Sequence, residues 1–308
     1  MGAGHSHGHA VGRAEDRSRL KLVLLMTGAV IAVEVVGAWV SGSLALLADA
    51  GHMVTDAAAV GLALSASYVA TRPATSTRTF GFHRAEILAA LANAAVLFVV
   101  CTYLAYAGIR RLVDPVEVDA SSMLVFAAIG LVANVVSFGI LARGQNHSLN
   151  MRGAYLEVLS DLLGSVAVIV AGLVILATGF IRADSIASLV IAAMILPRSF
   201  SLLRGAVDVL LEATPKHIDL DDVRLHLAKV PGVVDVHDLH AWMITSGMPM
   251  LSVHVTVTDD VLAERGVGSL LDEFSDCVAS HFEVDHATFQ IEPASHRAHE
   301  HLGGMDHD

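Results

Sequence analysis

The apolar stretch Ser43–Tyr68 constrains this chain most, because it joins the length of a membrane-crossing helix to acidic side chains. A helix crosses a bilayer with about 20 residues. Asp49, His52 and Asp56 lie in its first half, and the spacing of the last two places them on one face of a helix. A charge in mid-membrane costs about 3 kcal/mol, so such residues mark an ion or proton path. The alternative is a helix in a soluble core that contains a hydrogen-bonded histidine.

The composition favours the membrane. Hydrophobic residues make up 54% of the 308-residue chain and charged residues 16%, whereas a soluble domain has about 25% charged residues. The apolar residues form six blocks, which predict six transmembrane helices within a domain spanning 20–207. The blocks are Leu22–Val40, Ser43–Tyr68, Ile87–Ile109, Ala120–Ala142, Tyr155–Ile181 and Ala183–Leu203, the last of which Pro197 and Arg198 interrupt.

The connections between the blocks predict the orientation of the chain. Six crossings place both termini on the same side of the membrane. Lysine and arginine are concentrated in the connections on that side, which include Arg72, Arg78 and Arg84, and are sparse on the other. Because positively charged connections stay in the cytoplasm, we predict a multi-pass protein of the plasma membrane with both termini cytoplasmic.

A small cytoplasmic α+β domain is predicted over 208–293. The predicted elements are a helix that starts at Pro215, strands Val233–Thr245 and Met250–Thr258, a helix over Asp260–Phe282 and a strand Ala287–Glu292. This αββαβ order suggests a ferredoxin-like arrangement, in which a turn near Gly247 brings His254 opposite His237–His240. A histidine-containing tail precedes the membrane domain (1–19) and a histidine-rich tail ends the chain (294–308). Such tails either bind metal loosely or are simply disordered.

A second pair of ligand-type residues lies near the start of block five. Glu157 and Asp161 have the same spacing as His52 and Asp56. One such pair alone could be a buried ion pair, but two pairs at equal spacing favour a metal site. If the two helices pack, they bring together four potential ligands of a divalent metal: His52, Asp56, Glu157 and Asp161. We see no lysine or arginine in mid-block to neutralise the carboxylates, so we expect a cation to do so.

Metal–proton exchange follows as a hypothesis, because these ligands bind either protons or metal. Cytoplasmic metal would enter as protons leave, the site would turn outward, and returning protons would displace the metal.

From about Leu22 to Pro293 the chain resembles the cation diffusion facilitator family, in its zinc-transporter branch. The motifs that carry the resemblance are SGSLALLADAGHMVTDAAAVGLAL, RTFGFHRAEILAALANA, HSLNMRGAYLEVLSDLLGSV, VDVLLEATP, VHDLHAW, LSVHV and TFQIEP. The resemblance implies a homodimeric antiporter, not an enzyme, that exports a divalent metal from the cytoplasm against protons. It also places the transport site on helices two and five.

One departure from the family pattern concerns selectivity. The zinc branch has HxxxD on helix five as well, whereas this chain has Glu157 at the first position. A hard oxygen ligand in place of an imidazole shifts preference toward Mn, Fe or Co, and Cd also becomes a candidate. We favour Zn²⁺ because His52 remains and the affinity order places Zn above Mn and Fe.

Further candidate residues lie beside the transport site and outside the membrane. His83, in the loop before block three, is either a peripheral metal site, as the family implies, or a loop histidine that caps the next helix. Asp49 either orients His52 as a neighbouring hydrogen-bond acceptor or lines an aqueous cavity. The resemblance also implies regulatory metal sites that steady the dimer, for which ordinary sheet-surface residues are the alternative: His237, His240, His254, His286 and Glu292.

Two other functions compete with antiport. A membrane-anchored metal sensor would use the helices only as anchors, and the carboxylates within helices two and five argue against that. A metal-dependent membrane hydrolase would need a nucleophile or an HExxH-type base, and neither motif is present. The predicted partners are therefore the bilayer, protons and a second copy of the chain, with no sign of nucleic-acid binding.

Overall fold

The protein's structure, a computed structural model, describes residues 7–142, 149–284 and 286–296. The side chains of the predicted tails lie mostly outside this part. Within the described residues the chain forms eight α-helices and three β-strands. They belong to two compact units, the first comprising Met1–Leu64 and Ala92–Leu203, and the second Ser65–Leu91 and Arg204–Asp308.

Six long helices come first, and all six have the length and composition to cross a membrane. They are α1 (His7–Ser41), α2 (Leu44–Ala70), α3 (Ala85–Val113), α4 (Ala120–Ala142), α5 (Leu149–Thr178) and α6 (Arg182–Leu210). The predicted count of six is confirmed. The sequence suggested that Pro197 and Arg198 break the sixth block, but α6 continues through both.

The outward faces of these helices are apolar, as a lipid environment requires. Trp39 is 86% exposed and Leu25 is 73% exposed, and many large aliphatic residues on the other helices are also uncovered. The inward faces include small residues that allow close approach. A Cβ on Gly37 of α1 would lie 2.5 Å from Phe126 of α4, so these two helices pack closely at that point.

The N-terminus of α2 is capped by a side chain from the start of α6. Asp184, which is buried, accepts hydrogen bonds from the Ser43 hydroxyl (2.5 Å) and from the backbone N–H groups of Leu44 (2.7 Å) and Ala45 (3.1 Å). Arg111 lies 3.8 Å from the same carboxylate. The carboxylate satisfies free N–H groups at the helix end and complements the helix dipole, which fixes one end of α2.

The second unit contains the small α+β domain, with α7 (Leu220–Ala228), β1 (Val233–Met243), β2 (Pro249–Val257), α8 (Asp259–Phe282) and β3 (His286–Pro293). The αββαβ order is as predicted. In the sheet, β1 and β2 are antiparallel, with His237 opposite His254, and β2 and β3 are parallel. Pro215 does not start the first helix, because Asp219 caps α7 by accepting from the N–H groups of the next turn.

The inner face of this domain is a hydrophobic core between the sheet and the two helices. Leu270, Phe274 and Val278 of α8 are fully buried against Val253 and Val255 of β2. This packing leaves the other face of the sheet available to its histidines.

Candidate metal centre

The structure brings together the predicted ligands of α2 and α5. His52 Nε2 lies 3.3 Å from Asp56 Oδ2 and 3.9 Å from Asp161 Oδ1. One ligand atom from each of His52, Asp56 and Glu157 lies within 4.8 Å of the others. The equal spacing of the two pairs accounts for this, because each pair occupies one face of its helix and the two faces meet.

Several atoms in this cluster accept or donate no hydrogen bond within the described residues. Among the described residues, Asp56 Oδ2, Asp161 Oδ1 and His52 Nδ1 are buried without a hydrogen bond. A buried carboxylate oxygen without a partner is costly. Oxygen and nitrogen atoms gathered in this way suit a divalent cation, and one imidazole with carboxylates is a donor set that fits zinc and harder metals.

Arg198 of α6 corrects the expectation that no cation within the blocks neutralises the carboxylates. Its guanidinium donates to both oxygens of Glu157, at 3.3 Å to Oε1 and 2.9 Å to Oε2. Two parallel hydrogen bonds of this kind fix orientation as well as charge. The sequence counted Arg198 as a connection residue because of the adjacent Pro197. Two features of the sequence could have identified the role of Arg198. One is a positive charge inside an apolar block, and the other is an unusual acidic ligand, Glu157, in another block.

Two cavities border the cluster. One, of about 450 Å³, is lined by residues of α1, α2, α5 and α6, including Asp56, Glu157 and Asp161. The other, of about 70 Å³, is lined among others by His52 and Asp49. Arg198 lines both cavities. Polar groups that converge on a cavity between helices form the arrangement expected of a binding site in a bundle.

One interpretation of the sequence expected Asp49 to accept a hydrogen bond from His52. The structure shows no hydrogen bond between these two residues. Asp49 is buried and accepts from the hydroxyl of Ser165 (3.3 Å), which in turn accepts from the side-chain amide of Asn134 (3.1 Å). Asp49 does share the smaller cavity with His52, in line with the alternative of a cavity-lining residue. Glu34 of α1 is also fully buried, and its carboxyl lies beside that of Asp49.

A second cluster lies on the sheet of the small domain. His237, His254 and Glu292 each offer a ligand atom within 4.8 Å of the others. His254 Nδ1 is 3.1 Å from Glu292 Oε1, and His237 Nε2 is 3.7 Å from Glu292 Oε2. The strand order explains the grouping, because β2 lies between β1 and β3 and presents His254 to both neighbours.

Asp238 joins this cluster, and sequence reasoning missed it. A β-bulge falls between His237 and His240, and Asp238 has a φ of 48°, which is uncommon for a residue other than glycine. Its carboxylate lies 2.9 Å from His240 Nε2 and 3.5 Å from His254 Nε2. A bulge redirects side chains, so Asp238 faces the histidines although strict alternation would turn it away. No local pattern indicates the bulge.

The other predicted ligands lie apart from these clusters. The ring of His286 packs edge-on against Phe80, with centroids 6.2 Å apart. His83 is half-buried in the turn before α3, and its carbonyl accepts from the N–H of Glu86. Neither belongs to a group of potential metal ligands among the described residues.

Comparison with known proteins matches both parts of the chain to one family. The family model described as the cation efflux transmembrane domain matches residues 20–211. The model described as the cytoplasmic domain of cation efflux proteins matches residues 215–294.

Similar proteins cover nearly the whole chain. The metal cation efflux system protein CzcD of Cupriavidus metallidurans is 45% identical over 96% of this chain and 91% of its own length. The zinc transporter ZitB of Escherichia coli is 39% identical over 94% of this chain and 92% of its own length. A cadmium, cobalt and zinc/H⁺-K⁺ antiporter of Bacillus velezensis is 37% identical over 95% of this chain and 93% of its own length. A solved structure, the metal-bound C-terminal domain of the Cupriavidus CzcD transporter, is 39% identical, covers 24% of this chain and 99% of its own, and has a TM-score of 0.22.

Proposed function

The chain belongs to the cation diffusion facilitator family, and from this premise we propose that it exports divalent metal cations, Zn²⁺ foremost, from the cytoplasm in exchange for protons. The observation that carries the proposal is the cluster of His52, Asp56, Glu157 and Asp161 in the membrane bundle, where buried oxygens lack hydrogen bonds among the described residues beside a cavity of about 450 Å³. Relatives named as a zinc transporter and as a cadmium, cobalt and zinc antiporter agree with it.

The chemistry of the donors supports exchange with protons. In the membrane interior the carboxylates need a counter-charge, which a divalent cation or protons can supply. Cytoplasmic metal displaces protons from the site, the site turns to the other side, and protons displace the metal there. His52 supplies the borderline ligand that zinc prefers. The oxygen ligand Glu157 broadens the range toward Mn, Fe and Co, and Cd is a further candidate because a similar protein is named as a cadmium, cobalt and zinc antiporter.

The small domain adds a regulatory element to this proposal. His237, His254 and Glu292, with Asp238 beside them, form a cytoplasmic site whose occupation by metal steadies the domain and the dimer. The domain is small enough for a partner surface to add materially to its stability. Light scattering of the protein in detergent tests this assembly, and a mass of one chain would contradict it.

The proposed orientation follows from the distribution of charge between the helices. Both termini, and with them the small domain, lie in the cytoplasm of a cell whose plasma membrane the helices cross. Labelling of intact cells that carry Asp221→Cys or Asp114→Cys checks this. Only Asp114→Cys should react with a membrane-impermeant thiol reagent, and reaction of Asp221→Cys instead would reverse the orientation.

Transport in proteoliposomes tests the function. A pH gradient should drive Zn²⁺ flux, and Asp56→Asn or Asp161→Asn should reduce it by about 100-fold or more, because each removes a charged ligand. Asp114→Asn, which changes an exposed carboxylate between α3 and α4, is the matched control and should transport normally.

The same assay separates antiport from sensing. A membrane-anchored sensor would show no flux driven by the pH gradient, and both ligand variants would behave like the wild type. Parallel measurements with Cd²⁺, Mn²⁺, Fe²⁺ and Co²⁺ rank these metals by their rate of transport. Strict selectivity for Zn²⁺ would show that Glu157 does not broaden it.

A further inference from the structure

Arg198 is a permanent positive charge inside a membrane helix, and it points into the candidate site. It lies in the middle of α6, lines both cavities at the cluster and donates to both oxygens of Glu157. The guanidinium keeps its proton under all physiological conditions. Arg198 therefore contributes its charge to the site throughout the transport cycle.

The pairing is selective among the carboxylates of the cluster. The three are Asp56, Glu157 and Asp161, and Arg198 forms its bidentate contact with the one that comes from the unusual ligand position. A bidentate guanidinium neutralises a carboxylate and occupies both of its oxygens. Glu157 and Arg198 together thus have no net charge, as a neutral histidine would.

We propose that Arg198 is a positioning residue that, together with Glu157, takes the place of a neutral ligand in the transport site. This inference rests on the proposed function of that site. Arg198 holds Glu157 in place before the metal arrives, and metal binding draws one oxygen of Glu157 away from the guanidinium. The site then has a net charge of about −2 with all carboxylates ionised, which one divalent cation balances.

The proposal predicts opposite changes in Zn²⁺ affinity for substitutions at the two residues of the pair. Arg198→Gln leaves the third carboxylate uncompensated, so the site should hold Zn²⁺ about tenfold more tightly and release it more slowly. KM for Zn²⁺ and the maximal rate should therefore fall together. Glu157→His leaves the guanidinium unpaired beside the ligands, so Zn²⁺ should bind more weakly, again by about tenfold.

The double variant Glu157→His/Arg198→Gln tests the pair as a unit. Restoring a neutral ligand without a cation should return Zn²⁺ flux to within about threefold of the wild type, although each single change lowers it, because the two changes compensate each other. Arg198→Lys keeps the positive charge but loses the two parallel hydrogen bonds of the guanidinium. Its Zn²⁺ affinity and flux should lie between those of the wild type and Arg198→Gln. Arg204→Gln, which changes an exposed arginine of the same helix, should behave as wild type.

Two measurements on the full-length protein are needed. One is Zn²⁺ flux in proteoliposomes, and the other is the component of Zn²⁺ binding in detergent that Asp161→Asn removes. Additive losses of flux in the double variant, or unchanged affinity in Arg198→Gln, would overturn the proposal. If the wild type shows no flux but the affinities follow the predicted pattern, antiport fails and the role of Arg198 stands. If the wild type transports and Arg198→Gln keeps both its flux and its affinity, the role of Arg198 fails and antiport stands.

Discussion

At the scale of single residues, the surroundings of Asp49 show how little space the bundle leaves around its buried acids. A methyl group on Gly164 of α5 would overlap Asp49 Oδ1 and lie 3.2 Å from its Cγ. Ser165 already holds the other oxygen of this carboxylate. Glycine at position 164 therefore allows this close approach, and a Cβ on Gly130 would likewise lie 2.5 Å from Glu34 Oε1.

Gly164→Ala should consequently destabilise the protein by about 1–3 kcal/mol, the usual cost of overpacking a core. Transport should fall with it, since Asp49 lines the cavity at His52. Thermal unfolding in detergent measures the effect. Gly139→Ala on α4 is the control, because a Cβ there meets nothing within 4 Å. Equal melting temperatures for the two variants would contradict the steric argument.

At the scale of elements, the capped end of α2 determines where the ligands of that helix lie. Asp184 holds three donors at the start of α2, and His52 and Asp56 follow along the same helix. A rigid helix carries the position of its end over this short distance. The contact joins residues 140 positions apart in the chain, so it also fixes α2 against the start of α6, the helix that supplies Arg198.

Asp184→Ala removes this cap, leaves three buried donors without their acceptor and takes the nearby carboxylate away from Arg111, so we expect a loss of about 3 kcal/mol or more. Asp119→Ala offers a comparison, because Asp119 caps α4 through Ser121 and Ser122 at an exposed position and should cost only about 1 kcal/mol. Chemical unfolding of both variants in detergent measures which of them loses more stability. A larger loss for Asp119→Ala would show that α2 does not depend on its cap.

At the scale of the whole molecule, the elements could be predicted from the sequence, whereas the contacts between distant elements could not. Six apolar runs and two ligand pairs are local patterns. The grouping of His237 with His254 followed from a hairpin turn. By contrast, the Asp184 cap and the Glu157–Arg198 pair depend on how helices pack, and the bulge at Asp238 has no local signature. The expected start of the small domain's first helix at Pro215 was wrong, because Asp219 provides a stronger cap than proline alone.

The cluster on the sheet gives a prediction about the stability of the small domain within the full-length protein. Zn²⁺ at about 100 times its dissociation constant should stabilise the small domain by about 2.7 kcal/mol. His254→Ala should abolish this gain, while His217→Ala, which changes an exposed histidine of the same domain, should keep it. Hydrogen exchange of β1 and β2 in the full-length protein, with and without Zn²⁺, reports the difference. Equal protection by metal in both variants would exclude the cluster as the site.

The pairing of Arg198 with Glu157 has a further consequence, for the electrical behaviour of transport. A site at about −2 is neutral with one divalent cation and equally neutral with two protons, so neither half of the cycle moves net charge through the membrane field. Each unbalanced charge would couple the cycle to the membrane potential by about 2.3 kcal/mol per 100 mV. Wild-type flux should therefore ignore a potassium diffusion potential set with valinomycin, whereas the flux of Arg198→Gln should respond to it. A voltage-dependent wild type would mean that protons and metal do not balance at this site.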